Sequence, residues 1–507
     1  MGPKLIMITV SLMLAVFCVA LDNTIMAVAI PKITDEFHAL NDVGWYGSSY
    51  LLTTCSFQLL YGKLYTLFSI KWVFLTALFL FELGSLICGV APTSVALIVG
   101  RAIAGLGSAG IFTGAMVALA HTVVVDKRPM FFGMLGGMYG IASVAGPLMG
   151  GAFTDHATWR WCFYINLPLG GITAVGILFL LQLPPKANTQ RKSAIDTIKG
   201  LDPLGTLIFV PAIVCLLLAL QWGGVTYPWS NGRIIALFVV FGLALMVFIG
   251  LQAGLGQNAT VPMDIARQRT IAAASYFGLC IGGSFFIMIY YIPIWFQAIR
   301  DVTAVHSGID SLPMILSNVF GIITASSLTT VFGYTAPFFI ISSIVMSIGA
   351  GLLTTFTVDV SQAKWAGFLF VYGLGVGFGF QQGGIAAQAV LPLSKVSVGT
   401  ATVMFVQMLG GSLFVSAAEN VFTKHLISNL SALNIAGLDP AEVVGAGATS
   451  FRSLVSAEDM PAVLVAYNDA LVKVFQLALI MSCLSIFGAV GIEWRSMKGK
   501  KIEIGAA

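Results

Sequence analysis

Long apolar runs separated by short polar breaks recur along the whole chain. They fall at 5–30, 44–66, 71–91, 95–121, 130–153, 161–183, 203–222, 233–255, 271–298, 309–331, 335–357, 364–391, 398–424 and 471–493. A hydrocarbon core of about 30 Å takes ~20 residues of α-helix, so each run predicts one membrane span. Fourteen spans, an even number, put both termini on one side. Two breaks are long: a basic stretch at 184–202, and a polar, Gly/Ala-rich stretch at 425–470. Six runs precede the first of these and six follow residue 270. The pattern predicts an all-α polytopic membrane protein with six-helix bundles at 1–183 and 271–493. A linker at 184–202, two extra central helices within 203–270, an external loop at 425–470 and a tail at 494–507 complete the division. Two-fold repeats of six helices are a recurrent transporter plan. Residues 1–20 have the look of a signal peptide, but the apolar run continues through Asp22 to Ile30 and reads as the first span.

Composition agrees with this reading. The chain is 58% hydrophobic and 9% charged, with a mean hydropathy of +0.95, where a soluble domain carries about 25% charged residues. Of the 25 Lys and Arg, sixteen fall on the side of the N-terminus and eight on the other, with Arg101 inside a span. Positive charge collects on the cytoplasmic side, so both termini are expected there. The net charge of +4 lies in the breaks and speaks to orientation, not to nucleic acid. The seven cysteines all sit in apolar runs with no CxxC pair, which predicts neither a disulfide framework nor a metal site. No GxxxxGK[ST] phosphate loop occurs, against an ATP-driven pump. The five His are scattered over both sides, against a membrane enzyme with clustered catalytic groups. No cofactor is expected. Asn429-Leu430-Ser431 is a glycosylation acceptor in the expected external loop; Asn258-Ala259-Thr260 matches the pattern on the cytoplasmic side and is discounted.

Three ionisable residues fall deep in the runs. Asp22 in the first and Arg101 in the fourth have opposite charge at matching depth, and Glu82 lies near the middle of the third. A charge at mid-membrane costs at least ~2.5 kcal/mol on insertion scales, so each is a functional candidate. An Asp22–Arg101 pair is either a static lock between helices or, with Glu82, a proton-coupling site tuned by the arginine. Glu419, late in the thirteenth run, is expected at the solvated boundary. Gln381, Gln382 and Gln407, with Tyr290, Tyr291 and Phe405 among the aromatics, form a candidate lining for a bulky apolar ligand; for any single glutamine, ordinary interhelical amide bonding is the favoured alternative. In the fifth run, Gly136, Gly140, Ser143, Pro147 and Gly151 share one helical face. Small residues let two backbones approach closely, and Pro147 bends the helix, so this face is a packing seam that can flex.

The motifs carry a resemblance. Leu21-Asp22-Asn23-Thr24-Ile25 running to Ala29-Ile30-Pro31, Gly100-Arg101-Ala102-Ile103-Ala104-Gly105-Leu106-Gly107, Gly140 through Gly146-Pro147-Leu148-Met149-Gly150-Gly151, and Trp159-Arg160-Trp161-Cys162-Phe163-Tyr164-Ile165-Asn166-Leu167-Pro168 follow one another in this order. In these, over nearly its whole length, the chain resembles the fungal members of the fourteen-helix drug:H+ antiporter family of the major facilitator superfamily. The resemblance implies the major facilitator fold and a role for Arg101 in proton coupling. It makes Gly140, Gly146, Pro147, Gly150 and Gly151 an exporter-type antiporter motif. It further implies proton-coupled efflux of a small amphipathic toxin, drug or secondary metabolite, by a monomer in the plasma membrane. Related fourteen-helix proteins import or exchange basic amino acids or siderophores, some in the vacuolar membrane, which is the alternative. One departure stands out: Thr66 occupies the place in the loop after the second span where the superfamily usually carries an aspartate.

Overall fold

The computed structural model describes residues 3–38, 42–181, 199–224, 226–435 and 437–498. All fourteen runs are helical. The first five are α1 (Pro3–Phe37), α2 (Val43–Leu67), α3 (Ile70–Val90), α4 (Ser94–Thr122) and α5 (Arg128–His156). The sixth is α6 (Asn166–Leu180), led by the short helix Trp161–Tyr164. The inserted pair is α7 (Pro203–Trp222) and α8 (Gly232–Leu255). Then come α9 (Arg269–Arg300), α10 (Leu312–Phe332), α11 (Ala336–Leu353), α12 (Gln362–Phe380, continued by Gln382–Val390), α13 (Val396–Leu433) and α14 (Met460–Gly491). Of the linker expected at 184–202, residues 184–198 lie outside the described residues, as does the tail beyond 498.

Local chemistry sets the helix ends. Thr93 caps α4 by accepting from the Ala96 amide, and proline enters at the first turn of α5, α7, α10, α11 and α14, where its missing N–H costs nothing. Gly333 (φ 83°) ends α10 in the left-handed region.

Among the described residues, thirteen of the helices are long and apolar enough to cross a membrane. The fourteenth, α2, has 25 residues but mixes Ser, Thr, Tyr and Gln among its leucines. Such a face is stable at membrane depth only against protein or water. Part of it meets α4: Thr53 donates to the Ala102 carbonyl at 2.8 Å, Thr54 to the Gly105 carbonyl at 3.0 Å, Tyr65 to the Gly110 carbonyl at 2.8 Å, and Gln58 to Thr113.

The long external loop expected at 425–470 is largely helix. Residues through Leu433 continue α13, Pro440–Ser450 is a separate helix broken at Gly447, and α14 begins at Met460. The segment is tied to α9 and α14. Phe451 stacks on Tyr467 with ring centroids 5.0 Å apart, and Arg452 donates to the Ala298 carbonyl at 2.8 Å.

One apolar core draws on residues from Ile265 to Ile492; two others are built mainly within α1–α6. The two sets of six meet where α5 packs on α10 and α2 on α13. α7 fills the crevice between α2 and α13, joining Cys55 and Leu59 to Phe209, Ile213 and Phe405. α8 packs on α7 and leaves most of its apolar surface exposed, the surface a bilayer would cover.

A polar knot fixes this pair on the face that carries the N-terminus. Asp202, buried ahead of α7, accepts from Gly205 N (2.9 Å), Gln252 Nε2 (2.6 Å), and Thr260 N and Oγ1 (3.0 and 2.8 Å). Burial acts to raise its carboxyl, but these bonds outweigh it and hold the group below the usual carboxylate range. The loop after α8 then bridges both sets of helices. Lys63 of α2 donates to the Gln257 and Asn258 carbonyls (3.4 and 3.3 Å), while Asp264 pairs with Lys395 just ahead of α13. Thr66, in the place of the expected acid, donates to the Gly62 carbonyl at 2.8 Å.

Candidate functional site

α4 is drawn into α2 and α3 by its own glycines. A Cβ on Gly100 would stand 2.7 Å from Cys88 Sγ, one on Gly105 would overlap the Tyr50 carbonyl, and one on Gly107 would overlap the Phe81 amide. This nesting carries Arg101 to α1. Arg101 donates to Asp22, its Nε donates to the Tyr46 carbonyl at 2.8 Å, and its guanidinium lies 4.4 Å over the Tyr50 ring. The second Asp22 oxygen accepts from Asn166 Nδ2 at 3.3 Å, and that amide also donates to Ser85 at 3.2 Å. Asp22 is 0% and Arg101 1% exposed, so each ion is tolerated there only because the other offsets its charge, with the bonds to Tyr46 and Asn166 in support.

Glu82 of α3 lies within electrostatic reach of Asp22. It packs against Gly170 at the start of α6, where any Cβ would overlap its carboxylate. Both carboxylate oxygens are buried without a hydrogen-bond partner among the described residues. Asn166 belongs to a stretch the sequence singles out, yet nothing in its spacing marks it as a ligand of Asp22. Only the packing of α6 on α1 and α3 does.

α5 uses two faces. The small-residue face turns to α10: a Cβ on Gly133 would stand 2.7 Å from Ser326, one on Gly136 2.8 Å from Ile322, and one on Gly140 would overlap Val319. Further along, this face loosens. Pro147 stands 3.8 Å from a Cβ built on Gly308, a small gap is lined by Ser143 and Pro147, and Gly151 has open space around it. Gly146 lies on the other face, against α1, where a Cβ would overlap Thr24 Oγ1 and stand 3.0 Å from the Ile25 amide. Thr24 also donates to the Ala142 carbonyl at 3.1 Å. Gly150 is buried. The motif is therefore split between a seam to the other six helices and a seam to the helix that carries Asp22.

A cavity of about 300 Å³ opens among α2, α7, α9 and α13, in the halves of α2, α7 and α13 remote from the N-terminal face. Leucines 51, 52, 217 and 218 make much of its wall, and Ser48, Gln221, Ser416 and Glu419 supply polar groups. Of the six residues expected to line a substrate cavity, Tyr290 lines this one. The others are placed in packing. Tyr291 sits against Phe422 with centroids 5.9 Å apart, and Phe405 against Phe209 at 5.2 Å. Gln381 covers Gly136, Gln407 packs on Gly278 and Gly282, and Gln382 accepts from Thr329 at 3.4 Å. Gln388, also of α12, is buried with neither side-chain polar atom hydrogen-bonded among the described residues. Glu419, expected at the solvated boundary, instead lines the cavity. The sequence signal for this wall was the low hydropathy of α2, and nothing in the apolar run of α7 revealed its part. Tyr290 is within electrostatic reach of Arg101, so the cavity adjoins the buried pair.

Asn429 lies on α13, and its Nδ2 donates to the Ala466 carbonyl at 3.0 Å. The acceptor expected on a loop is thus on a helix, with the nitrogen that would take a glycan already bonded to α14. At the far end of α1, Glu36 accepts from Trp159 Nε1 at 2.6 Å and from Arg160 at 2.9 Å; these bonds hold its carboxyl below the ordinary range.

The family model described as Major Facilitator Superfamily matches residues 12–415. The chain is similar to the efflux pump aflT of Aspergillus parasiticus, 66% identical over 98% of this chain and 97% of the relative. The MFS-type efflux pump MFS1 of Trichophyton rubrum is 55% identical over 100% and 94%. The aspyridones efflux protein of Neocamarosporium betae is 46% identical over 99% and 89%. Among solved structures, the proton:xylose symporter XylE bound to 6-bromo-6-deoxy-D-glucose aligns with a TM-score of 0.58 at 14% identity, over 96% of this chain and 94% of the other. The human organic anion transporter MFSD10 aligns at 0.59 and 12%, over 95% and 100%. At such identities the two structures speak to the fold alone.

Proposed function

The chain belongs to the Major Facilitator Superfamily and is an efflux transporter, and from that premise we propose that it exchanges a small, largely apolar metabolite or toxin for protons. Relatives named as efflux pumps, one of them for aspyridones, support a secondary-metabolite cargo. The bias of Lys and Arg supports a cytoplasmic N-terminal face, and export from the cell would place the chain in the plasma membrane. On that orientation the cavity faces outward, and the tight seams at Gly133, Gly136 and Gly140 close the cytoplasmic side. Both sets of six helices and the cavity lie in one chain, which supports a monomer as the working unit.

The observation that carries the proton assignment is the buried Asp22–Arg101 pair beside the unpartnered carboxyl of Glu82. A proton arriving on Asp22 removes the counter-charge of Arg101 and leaves the guanidinium with the Tyr46 carbonyl and the Tyr50 ring. A buried charge stripped of its partner costs about 3–5 kcal/mol, so the arrangement that rehydrates Arg101 gains. Glu82 takes the proton on without a new charge being buried. Rocking of α5 on α10 and of α2 on α13 turns this local change into alternating access. One charge moving through the potential supplies about 2.3 kcal/mol per 100 mV.

In proteoliposomes, an imposed pH gradient should drive accumulation of rhodamine 6G or Nile red, and a protonophore should remove it. The Asp22→Asn protein should bind the dye but not accumulate it. Accumulation that ignores the gradient, or that survives in Asp22→Asn, sinks the proton exchange.

A further inference from the structure

The inserted pair of helices sits outside both sets of six, yet one of its members reaches the cavity. α7 is docked at both edges. Trp222 meets Trp45 of α2 with ring centroids 6.1 Å apart in an edge contact. The turn after α7 is held to α13, where Trp229 Nε1 donates to Asn420 at 2.9 Å and Asn420 Nδ2 donates to the Gly223 carbonyl at 3.4 Å. Between these anchors, Leu217, Leu218 and Gln221 face the cavity.

Three helices each place a polar group with unspent hydrogen-bonding capacity there. Ser48 Oγ of α2 is buried without a partner among the described residues. The Gln221 side-chain amide of α7 comes to 3.1 Å from a Cβ built on Gly44 and makes no hydrogen bond among the described residues. Glu419 of α13 makes no ion pair among the described residues, and it is the one ionisable carboxylate on the wall, which holds no Lys, Arg or His. Gln382, by contrast, has its carbonyl engaged by Thr329 of α10. A half-buried amide left idle beside a serine and a carboxylate is placed for a ligand.

We infer that Gln221 of the inserted helix α7 is a specificity-determining residue of the transport cavity, gripping with Ser48 and Glu419 the polar end of a largely apolar substrate that is uncharged or cationic and bears a hydrogen-bond donor. The inference rests on the reading of the cavity as the transport site. The sign of charge follows from the wall: an anion would meet Glu419 with no cation to offset it. A glutamine can both give and take a hydrogen bond, so it orients a hydroxyl, amide or amine without fixing its charge. A site built to hydrogen-bond a group rejects an analogue lacking it, because its own polar atoms are then left unpaired.

The test expresses the full chain in yeast stripped of its own drug pumps and follows efflux of rhodamine 6G (cationic), Nile red (uncharged) and fluorescein (anionic). The wild type should extrude the first two and not the third. Gln221→Leu should raise KM for rhodamine 6G roughly three- to tenfold, the loss of one buried hydrogen bond, with the maximal rate retained. Gln221→Asn should recover part of that loss, whereas Val240→Ala on the lipid face of α8 should change nothing. Gly44→Ala, which crowds the Gln221 amide without removing it, should also raise KM and serves if Gln221→Leu fails to reach the membrane. An unchanged KM in these variants, or brisk fluorescein export by the wild type, overturns the inference while leaving transport intact. A wild type that extrudes none of the three overturns instead the reading on which it rests.

Discussion

The interior of α1–α6 and the interior of α9–α14 solve the same packing problem with different chemistry. In the first, helices are held by ions: Arg101 with Asp22, Asn166 bridging Asp22 to Ser85, and Glu82 close by. In the second, they are held by neutral groups. Ser284 of α9 meets Tyr372 of α12 and Ser482 of α14, both at 2.8 Å. Trp295 donates to Asn468 at 2.9 Å, and Asn468 donates to the Phe356 carbonyl at 3.0 Å. Hydroxyls, an indole and an amide do not exchange protons with water near neutral pH, whereas carboxylates do. On the proposed proton exchange, the drive falls to the set of helices that carries Asp22, Arg101 and Glu82, and the other set is the body against which it works. The cavity between them touches both kinds of chemistry, with Tyr290 from α9 within reach of Arg101 from α4.

The sharpest way to break this contrast is to strip one ion of its partner. Arg101→Ala should bring export to background and lower the thermal unfolding temperature in detergent, since removing one member of a buried pair costs about 3–5 kcal/mol. Replacing both members with apolar residues, Asp22→Leu with Arg101→Met, separates lock from drive. The double variant should unfold close to the wild-type temperature yet move no dye under a pH gradient. Export by that double variant would falsify the assignment of the drive to α1–α6.

Smaller effects sharpen the comparison. Gly140→Val should slow export with normal dye binding, because the added methyls collide with Val319 on the seam that both sets of helices share. Rates equal to wild type would show that the seam does not move. Glu82→Gln keeps the shape and removes the acid. It should leave stability unchanged or raised and reduce the protons moved per dye molecule, read from a pH-sensitive dye inside the liposomes. The mildest change should be Ser284→Ala in the neutral network: about 1 kcal/mol of stability and an unaltered dependence of export on pH. A shifted pH profile there would mean that the hydroxyl network takes part in coupling.

Much of the molecule was legible without coordinates because bilayers reward a single pattern. Fourteen apolar runs became fourteen helices, α7 with the bounds 203–222 that the run had, since a span must satisfy its backbone internally and so is helical wherever it is long and apolar. Asp22 and Arg101 stood out by their cost. Their pairing could be argued from depth alone, and their geometry then followed from the glycines of α4. The face of α5 bearing Gly136, Gly140, Ser143 and Pro147 was also readable from spacing.

What spacing could not say is which neighbour each face would meet. Gly140 meets α10 and Gly146 meets α1, because α5 is wedged between the two sets of helices. The glutamines of α12 and α13 look like a binding surface in the sequence, and the fold packs Gln381 over Gly136, Gln407 on Gly278 and Gly282, and Gln382 against Thr329. Gln221 lies near the end of an unremarkable apolar run, and only the docking of α7 between α2 and α13 brings it to the cavity. Hydropathy reports the cost of leaving water, which each residue carries by itself. Whether a polar group is satisfied, idle or facing a ligand depends on what stands opposite, and that was decided by the fold.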